Sequence, residues 1–506
     1  MKILDCTLRD GGYYTNWDFD NKLVNDYLKL VKFLPIDIIE VGYRGNKNKD
    51  SYLGEFYYLT RNNLKNIKSK IGKNKKLSIM IDTKDWKNPN ELRDNLKDCR
   101  KIVDIIRFAV NPKKINNLEK FLKETSNMGF NVAVNLMYSH LLLKNEYLIK
   151  SILKFKNYFN IIYIVDSYGT LISNDVKRII EKIRFLNSNI LIGFHAHNNL
   201  EMALSNSIEA MDNKIDYLDS TFTGMGRGAG NLKTELLLTF LNLKKKSLKI
   251  KNFKNIGPVV DQFEKMKSKE KWGTSLPYMI SGSTQSPQSE AMQLIKSKRY
   301  NISDIITHLN KEEKINVIVK KNLNFKKKNV LIVGGGNSVK IKISYIKEYL
   351  SKNPDIFIIF SSGRNLDLFK KIKNKSIICI TGNEITKINS SFLKKNNFLI
   401  NNQIDDKTIL PLDVSNFFKL KKNRISKKIN NSPLAISLSA SSELKAKNVY
   451  LIGFDGYDKI DKINDYSLYK ENQKIFNFYK KKLNIISLTN TEYENIKKSS
   501  IYKYLG

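Results

Sequence analysis

Short apolar runs rich in β-branched residues alternate with amphipathic segments over about the first 245 residues. Each run is almost continuously apolar, as expected of strands buried on both faces. Between the runs, apolar residues recur at helical spacing, as in Asn21 to Phe33, Asn116 to Met128 and Asn174 to Leu186. The eight predicted strands are Lys2 to Thr7, Ile36 to Tyr43, Lys76 to Asp82, Ile102 to Val110, Asn131 to Met137, Ile161 to Asp166, Asn189 to His197 and Ile215 to Thr223.

Eight strand and helix pairs predict an α/β fold with parallel strands and helices outside them. A further helical segment, Leu232 to Leu241, follows the last strand. Eight repeats close more naturally as a cylinder than as an open sheet. We therefore predict a (β/α)8 TIM barrel over residues 1–247.

The remaining chain is predicted to form three further parts. The pattern over residues 248–310 is helical and indicates a helical appendage to the barrel. Residues 311–328 are rich in Lys and Asn and indicate a linker, and residues 329–506 open a second strand and helix series. That series predicts a Rossmann-like α/β domain. Its strand candidates are Asn329 to Val333, Ile356 to Phe360, Ser376 to Thr381, Phe398 to Asn401 and Val449 to Phe454.

The composition fits large buried cores, since 41% of the 506 residues are hydrophobic and 10% are aromatic. The formal net charge of +39 would normally suggest nucleic acid or an anionic membrane as a partner. However, the Lys residues are mixed with Asn and Ile along the whole chain, without the interleaved aromatics of a single-strand groove. Solvated faces are therefore favoured over a specific nucleic-acid surface. A milder attraction to anionic substrates or membranes remains.

Cysteine content and the N-terminus indicate the compartment. Cys6, Cys99 and Cys379 are far apart and odd in number, so a disulfide framework and a thiolate zinc site are both unexpected. No charged and apolar leader begins the sequence, and no apolar run reaches about 18 residues. We therefore expect a cytoplasmic protein without a transmembrane segment.

Polar residues stand at the ends of four predicted barrel strands, where such barrels bind substrates. They are Thr7-Leu8-Arg9-Asp10-Gly11-Gly12, Glu40, Asp166-Ser167 and His195-Ala196-His197-Asn198. His195 and His197 share a strand face, and only strand eight separates their strand from the one before Asp10. Two imidazoles and a carboxylate suit Mn²⁺, Mg²⁺, Co²⁺, Fe²⁺ or Zn²⁺ and leave open positions for substrate. The alternative is an ordinary strand with hydrogen-bonded imidazoles.

Together with Glu40-Val41-Gly42 and Gly224-Met-Gly-Arg-Gly-Ala-Gly-Asn231, these motifs resemble the DRE-TIM metallolyases. That family includes 4-hydroxy-2-oxovalerate aldolase, 3-hydroxy-3-methylglutaryl-CoA lyase and the isopropylmalate, homocitrate and citramalate synthases. The resemblance covers roughly residues 1–300. It is specific because four motifs occur in the right order at the expected strand ends.

The resemblance implies roles for seven residues and a divalent cofactor, foremost Mn²⁺ or Mg²⁺. Asp10, His195 and His197 would bind the ion, with Asn231 as a possible further ligand. Arg9 would lie beside the substrate carbonyl and, with the ion, stabilise an enolate. Glu40 would orient Arg9, and Ser167 would lie near the bound 2-oxo acid. Asn231 could instead be a helix N-cap, and Glu40 could be part of a structural ion pair in the barrel.

The group that transfers the proton is open, because this chain departs from the family at one position. The hydroxy-oxovalerate aldolases have a His three residues after the metal-binding Asp, whereas this chain has Tyr13. His140 is the other candidate base, and both could instead serve core packing or a lid contact. The synthases have Glu-Gln after Arg-Asp-Gly, where this chain has Gly12-Tyr13.

In the second domain, Val330 to Val339 predicts a strand, a glycine turn and a helix. The backbone N–H groups of Gly334, Gly335 and Gly336 could bind a phosphate there. The third glycine of the dinucleotide motif is replaced by Val339, so a tight turn without a ligand is the alternative. Asp455 ends another strand. The two motifs are faintly similar to Rossmann-like transferase domains of bacterial surface-glycan pathways, which implies a nucleotide or nucleotide-linked sugar as ligand.

The leading hypothesis is an aldolase-type lyase that joins or separates a 2-oxo acid such as pyruvate and an aldehyde, fused to a transferase-like domain. One alternative is an acyl-CoA-dependent Claisen synthase, which release of free CoA thiol would distinguish. Another is a non-catalytic barrel that acts as a scaffold for the C-terminal domain. By resemblance, a homo-oligomer is expected.

Overall fold

A computed structural model describes most of the chain as two compact units, Met1–Met292 and Gln293–Gly506. The described residues are 1–46, 52–115, 118–244, 253–297, 302–310, 321–381, 388, 396–401, 416–423, 425, 429, 431–456 and 464–505. Residues 311–320 of the predicted linker lie outside them. The predicted class, α/β with a TIM barrel and a second parallel-sheet domain, is confirmed.

The first unit is a closed barrel of eight parallel strands in which each strand pairs with its neighbours in sequence and β1 pairs with β8. Every strand from the second to the eighth follows a helical segment, which explains the alternating pattern of the sequence. The strands are β1 (Lys2–Asp5), β2 (Ile38–Tyr43), β3 (Lys76–Ile81), β4 (Ile105–Val110), β5 (Asn131–Leu136), β6 (Ile161–Asp166), β7 (Leu191–Ala196) and β8 (Tyr217–Ser220).

The end of β1 differs from the sequence prediction and positions two functional side chains. The prediction carried this strand to Thr7, but the strand ends at Asp5 and a single helical turn, Thr7–Asp10, follows. The Asp5 carboxylate accepts a hydrogen bond from the backbone N–H of Thr7 at 3.0 Å, which stops the strand and turns the chain. This turn places Arg9 and Asp10 at the carboxyl end of the barrel.

Helices surround the barrel with their apolar faces inward, as in Asn21–Val31, where the Asp20 side chain accepts a hydrogen bond from the backbone of Leu23. The α-helices of this unit are Thr7–Asp10, Gly12–Thr15, Asn21–Val31, Arg61–Ile71, Pro89–Leu96, Leu118–Asn127, His140–Lys144, Tyr147–Leu153, Ser173–Leu186, Ala203–Asp212, Thr234–Lys244, Gly257–Glu270, Leu276–Ser283 and Gln288–Ser297, the last of which runs across the division between the units. Short 3-10 helices are Thr83–Asp85, Lys97–Cys99, Lys156–Tyr158, Phe222–Gly224 and Phe253–Ile256.

The second unit contains, in its described residues, a parallel sheet of nine strands. In chain order they are β9 (Lys321–Asn322), β10 (Asn329–Val333), β11 (Phe357–Phe360), β12 (Ser376–Cys379), β13 (Phe398–Ile400), β14 (Phe417–Lys419), β15 (Asn448–Ile452), β16 (Asn484–Ser487) and β17 (Lys497–Lys498). Their order across the sheet is β17-β16-β15-β10-β11-β12-β13-β14-β9. The direction of strand addition therefore reverses between β10 and β15, the place where open α/β sheets bind ligands.

Both faces of this sheet are buried, because successive residues of β10 belong to different cores. Val330 and Ile332 pack in one apolar cluster, and Leu331 and Val333 pack in the other. Its α-helices are Ile302–Asn310, Ser338–Ile341, Ile343–Lys352, Pro433–Glu443 and Asn464–Tyr479, with 3-10 helices at Gly363–Phe369 and Ile501–Tyr504. In the described part of the chain, no helix is long and apolar enough to cross a lipid bilayer.

Candidate metal centre and active-site pocket

A pocket opens at the carboxyl ends of the barrel strands and contains most of the residues selected from the sequence. Six of them line it: Arg9, Asp10, Tyr13, Ser167, His195 and His197. Glu40 and Asn231 are buried next to these residues. Eight candidates from separate parts of the chain therefore come together at one end of the barrel, where TIM-barrel enzymes bind their substrates.

The two histidines each have one ring nitrogen held by a neighbouring group. His195 Nδ1 lies 2.9 Å from Asp219 Oδ2, and its Nε2 lies 3.4 Å from Asp10 Oδ2. His197 Nδ1 lies 2.7 Å from the backbone oxygen of Asp166. Because a backbone oxygen can only accept, His197 Nδ1 carries a proton and Nε2 has a free lone pair. Such support of Nδ1 is typical of imidazoles that bind a metal through Nε2.

A series of buried ion pairs inside the barrel holds the side chains around Asp10 and the two histidines. Glu40 Oε2 accepts hydrogen bonds from Arg9 Nε at 2.7 Å and from Arg107 Nη1 at 3.1 Å. Arg107 Nη2 donates to Asp219 Oδ2 at 2.6 Å, and Arg9 also pairs with Asp10. All five side chains are buried, so their charges interact in a region of low dielectric constant. Arg9 fixes the orientation of Asp10 at one end of this series of ion pairs, and Asp219 fixes the orientation of His195 at the other end.

These contacts shift the pKa values of the three proposed ligands. Burial opposes ionisation of Asp10, but Arg9 and then His195 hold its pKa well below the usual range. Burial, followed by the proximity of His195, lowers the pKa of His197 to about 3. Burial also acts against a charged His195, but its hydrogen bonds to Asp10 and Asp219 raise its pKa above the usual value. A carboxylate and a neutral His197 are thus present at neutral pH.

Asn231 contributes an amide oxygen with no hydrogen-bond partner. Its Nδ2 donates to Asp10 Oδ2, whereas its buried Oδ1 has no partner among the described residues. The side chain occupies the space beside Gly226, where a Cβ atom would lie 2.5 Å from Asn231 Nδ2. A buried amide oxygen without a partner is costly unless a cation or another donor satisfies it.

The donor set suits a divalent cation that accepts nitrogen and oxygen ligands. Among the described residues, Cys6, Asp10 and His195 have ligand atoms within 4.8 Å of one another. Burial raises the pKa of Cys6 well above its usual value, and its Sγ lies 3.5 Å from the backbone oxygen of Ser220. A protonated thiol is a weak ligand, so two imidazoles, the Asp10 carboxylate and the free amide oxygen are the better set.

The two candidate bases occupy different positions. Tyr13 lies in the pocket with its hydroxyl 3.2 Å from that of Tyr43, and the Arg227 guanidinium lies 3.9 Å from the centre of its ring. His140 lies outside the pocket lining, half-buried, with its ring 5.2 Å from that of Tyr168. The structure therefore brings Tyr13 to the pocket but does not bring His140 there.

Ser167 faces the pocket but already has a hydrogen-bond partner. Its hydroxyl accepts a hydrogen bond from the backbone N–H of Tyr138 at 2.9 Å. The hydroxyl proton remains available to a ligand, because a serine hydroxyl can accept and donate at the same time.

In the second unit, the glycine turn and Asp455 meet at the reversal point between β10 and β15. Asp455 Oδ2 accepts a hydrogen bond from the backbone N–H of Ser338 at 2.8 Å, and Asp455 also pairs with the Ser338 hydroxyl. A Cβ atom on Gly336 would lie 2.5 Å from Asp455 Oδ2. The backbone of the glycine turn, Gly334 to Gly336, thus lies close to the end of the neighbouring strand β15.

Sequence reasoning missed four residues of the barrel site: Arg107, Asp219, Tyr43 and Arg227. Arg107 and Asp219 carried a usable signal, because each is a charged residue inside an apolar strand. Such a residue is rarely buried without an opposite charge on a neighbouring strand. Arg227 lies within the glycine-rich motif that was already selected, but its role depends on the pocket it faces.

The barrel, with a carboxylate, two imidazoles and a paired guanidinium around one pocket at the carboxyl ends of its strands, defines an enzyme of the TIM-barrel class. The chain belongs to the HMGL-like family, whose model matches residues 1–260. The predicted family is therefore confirmed, and the homologues of the chain are aldolase and decarboxylase lyases.

Curated relatives and a solved structure are similar to it. An oxaloacetate decarboxylase of Mycobacterium tuberculosis is 29% identical over 241 residues, which is 47% of this chain and 69% of that protein. A 4-hydroxy-2-oxovalerate aldolase of Carboxydothermus hydrogenoformans is 30% identical over 242 residues, 48% of this chain and 70% of that protein. The crystal structure of the N-terminal domain of a candidate aldolase from Bacteroides vulgatus is 40% identical and has a TM-score of 0.55. It covers 58% of this chain and 97% of its own.

Proposed function

We propose that the barrel is a divalent-metal-dependent aldolase that makes or breaks the carbon-carbon bond next to the carbonyl of pyruvate or another 2-oxo acid, with an aldehyde as the second reactant. One observation carries the proposal. Both imidazoles are held through Nδ1, and His195 Nε2 lies 3.4 Å from the Asp10 carboxylate in a pocket they share. The unsatisfied amide oxygen of Asn231 supports the same assignment.

Asp10, His195, His197 and Asn231 would hold the cation, with Mn²⁺ or Mg²⁺ the first choices for this oxygen and nitrogen set. When bound, the cation supplies a Lewis acid that polarises the 2-oxo acid. The Arg9 guanidinium, fixed by Glu40 and Asp10, would stabilise the negative charge that develops on the enolate oxygen. The Ser167 hydroxyl would bind the 2-oxo acid in the same pocket.

Tyr13 is the better candidate than His140 for moving the proton, because it lies in the pocket and His140 does not. Burial raises the pKa of the neighbouring Tyr43 well above its usual value, so Tyr43 keeps its proton. In the condensation direction, one methyl proton of the 2-oxo acid is removed and the new bond forms at the aldehyde carbon. The aldehyde oxygen gains a proton and becomes a hydroxyl group, so no electrons are exchanged with a further reactant.

A second candidate reaction is the decarboxylation of a 2-oxo diacid, favoured by the similarity to a protein named oxaloacetate decarboxylase. It would use the same enolate, with CO₂ in place of the aldehyde as the departing group. Release of CO₂ from oxaloacetate faster than the cation alone produces it would support this candidate. The Claisen alternative predicts release of free CoA thiol from acetyl-CoA and a 2-oxo acid.

The direct test is exchange of the pyruvate methyl protons with D₂O in the presence of Mn²⁺, followed by NMR. We expect exchange with wild type and its loss in Asp10→Asn and His195→Ala. Arg178→Met, which changes an exposed arginine on an outer helix, is the matched control and should exchange as wild type does. Absence of exchange in wild type with Mn²⁺, Mg²⁺ and Co²⁺ would refute the proposal.

For the second unit, we propose binding of a nucleotide or nucleotide-linked sugar at the turn Gly334 to Gly336, in a transferase-like domain with a role in surface-glycan synthesis. The position of the turn at the reversal point of the sheet supports it. Thermal stabilisation by one member of a nucleotide panel, lost in Asp455→Ala, is the expected result. A homo-oligomer is also proposed, and light scattering of the full chain tests it.

A further inference from the structure

Two arginines line the barrel pocket, and they differ in their partners. Arg9 is neutralised by Asp10 and Glu40, as described above. Arg227 has no carboxylate within 4.0 Å in the described part of the chain, and no hydrogen bond to its guanidinium is found there. A partly buried guanidinium without an anion is unusual, because an arginine removed from water is normally paired. Arg227 is therefore the arginine of this pocket whose guanidinium directly contacts no carboxylate in the described part of the chain.

The backbone that carries Arg227 is held firmly on both sides. The Asn231 backbone N–H donates to Gly224 O at 3.0 Å, and the Ala229 N–H donates to Gln288 Oε1 at 3.2 Å. The Tyr14 hydroxyl donates to Gly228 O at 3.2 Å. Because the loop is fixed by these bonds, the backbone at Arg227 does not need to become ordered when a ligand binds.

Its guanidinium is placed by stacking on an aromatic ring. The central carbon of the guanidinium lies 3.9 Å from the centre of the Tyr13 ring. Stacking uses the face of the guanidinium and leaves the N–H groups at its edge free to donate to an anion. The ring beneath it belongs to the residue we propose to transfer the proton. Arg227 and Tyr13 thus line the same pocket in direct contact with each other.

We propose that Arg227 determines the specificity for the second reactant by binding an anionic group on the aldehyde, so that the acceptor carries a carboxylate or a phosphate. This inference rests on the proposed aldolase reaction. Arg9 is already committed to the enolate oxygen and to its two carboxylates, so a second anion in the pocket requires a second cation. A planar guanidinium suits both groups, because it can donate two parallel hydrogen bonds.

The test compares aldehydes that differ in charge. Glyoxylate and phosphoglycolaldehyde are the anionic acceptors, and acetaldehyde and glycolaldehyde are the neutral ones, each with pyruvate and Mn²⁺. For wild type we expect kcat/KM to be at least about tenfold higher for an anionic acceptor, as charge-assisted hydrogen bonds would give. Comparison of the carboxylate with the phosphate identifies which anion the site accepts.

Arg227→Met should raise KM for the preferred anionic aldehyde at least about tenfold more than it raises KM for the neutral aldehydes, whatever its effect on kcat through Tyr13. Arg227→Lys should recover part of the preference, because it restores the charge without the planar donor pair. Arg178→Met also removes one positive charge from this highly basic protein and is therefore the matched control. It should change KM neither for the anionic nor for the neutral aldehydes. A drop in kcat alone, equal for all four aldehydes, would contradict a role in acceptor binding.

Three outcomes are distinguishable. If wild type shows no exchange of pyruvate methyl protons, the aldolase proposal itself fails. If exchange occurs but no anionic aldehyde is preferred, only the role of Arg227 is overturned. If Arg227→Met raises KM for pyruvate in the exchange reaction, Arg227 binds the carboxylate of the donor, and the proposal for the acceptor is wrong.

Discussion

Replacement of Asp219 by Asn tests the buried ion pairs under the metal site. The Asp219 carboxylate holds both Arg107 Nη2 at 2.6 Å and His195 Nδ1 at 2.9 Å, and all three side chains are buried. The variant keeps the size of the side chain but removes its charge. Arg107 then retains Glu40 as its single carboxylate partner at 3.1 Å.

The expected cost follows from the burial of the pair. Loss of one partner of a buried ion pair typically destabilises a protein by about 3–5 kcal/mol. Because Glu40 still pairs with Arg107, we expect about 3 kcal/mol, at the lower end of that range. For the unit Met1–Met292, this corresponds to a decrease in Tm of about 5 °C. Loss of support for His195 should also weaken Mn²⁺ binding by about 10–100-fold.

Asp216→Asn is the matched control, because Asp216 immediately precedes β8, the strand that contains Asp219. Asp216 pairs with Arg184 at 3.1 Å, but both side chains are about one-third exposed, at 32% and 30%. Such a pair contributes about 0–1 kcal/mol, so the control should lower Tm by less than about 2 °C and leave Mn²⁺ binding unchanged. Thermal unfolding of the metal-free full chain and calorimetry with Mn²⁺ measure the two effects. Equal losses in the two variants, or unchanged Mn²⁺ affinity in Asp219→Asn, would refute the reasoning.

Three further perturbations have defined outcomes. Gly226→Ala should weaken Mn²⁺ binding in calorimetry, since the added Cβ would displace Asn231, whereas Gly257→Ala, with nothing within 4 Å of the new atom, should bind as wild type. His140→Gln should retain pyruvate exchange. Burial lowers the pKa of His140, so the unfolded chain binds its proton more readily and the stability from His140 is lost as pH falls below about 6.5. Urea unfolding should therefore show a smaller loss of stability between about pH 7 and pH 5 in this variant than in wild type. Removal of divalent ions with EDTA should abolish exchange, and added Mn²⁺ should restore it in wild type but not in Asp10→Asn.

Much of the barrel could be predicted because its strands are buried on both faces. Runs such as Ile105–Val110 and Ile161–Asp166 are recognisable by their apolar content alone, and parallel pairing explains their spacing. The strand ends were harder to place. The first strand was predicted to reach Thr7, but the Asp5 side chain captures the Thr7 N–H and ends it earlier. Hydrogen bonds of this kind, between a side chain and the nearby backbone, compete with the strand pairing that an apolar pattern predicts.

The residues of the candidate site could be predicted where they lie close together in the sequence. They could not be predicted where side chains from distant strands meet only when the barrel closes. His195 lies in β7 and His197 follows the end of that strand, where it forms a β-bridge with Asn231, so their common face follows from the alternation of an extended chain. Arg107, by contrast, contacts Glu40 and Asp219 across 67 and 112 residues of sequence. Only the register of a closed barrel brings these side chains together, and no local pattern specifies that register.

The charges of the site connect the metal and acceptor proposals. The ion pairs run from Asp219 through Arg107, Glu40 and Arg9 to Asp10, so three carboxylates face two guanidinium groups. This chain of pairs alone leaves one negative charge, which a divalent cation more than balances. With the cation bound, the pocket would be positive even before Arg227 is counted. Before enolisation, a single 2-oxo acid anion could not neutralise both the cation and Arg227, and uncompensated charge in a buried site is costly. The same electrostatics that favour the cation therefore favour a second reactant that carries its own negative charge.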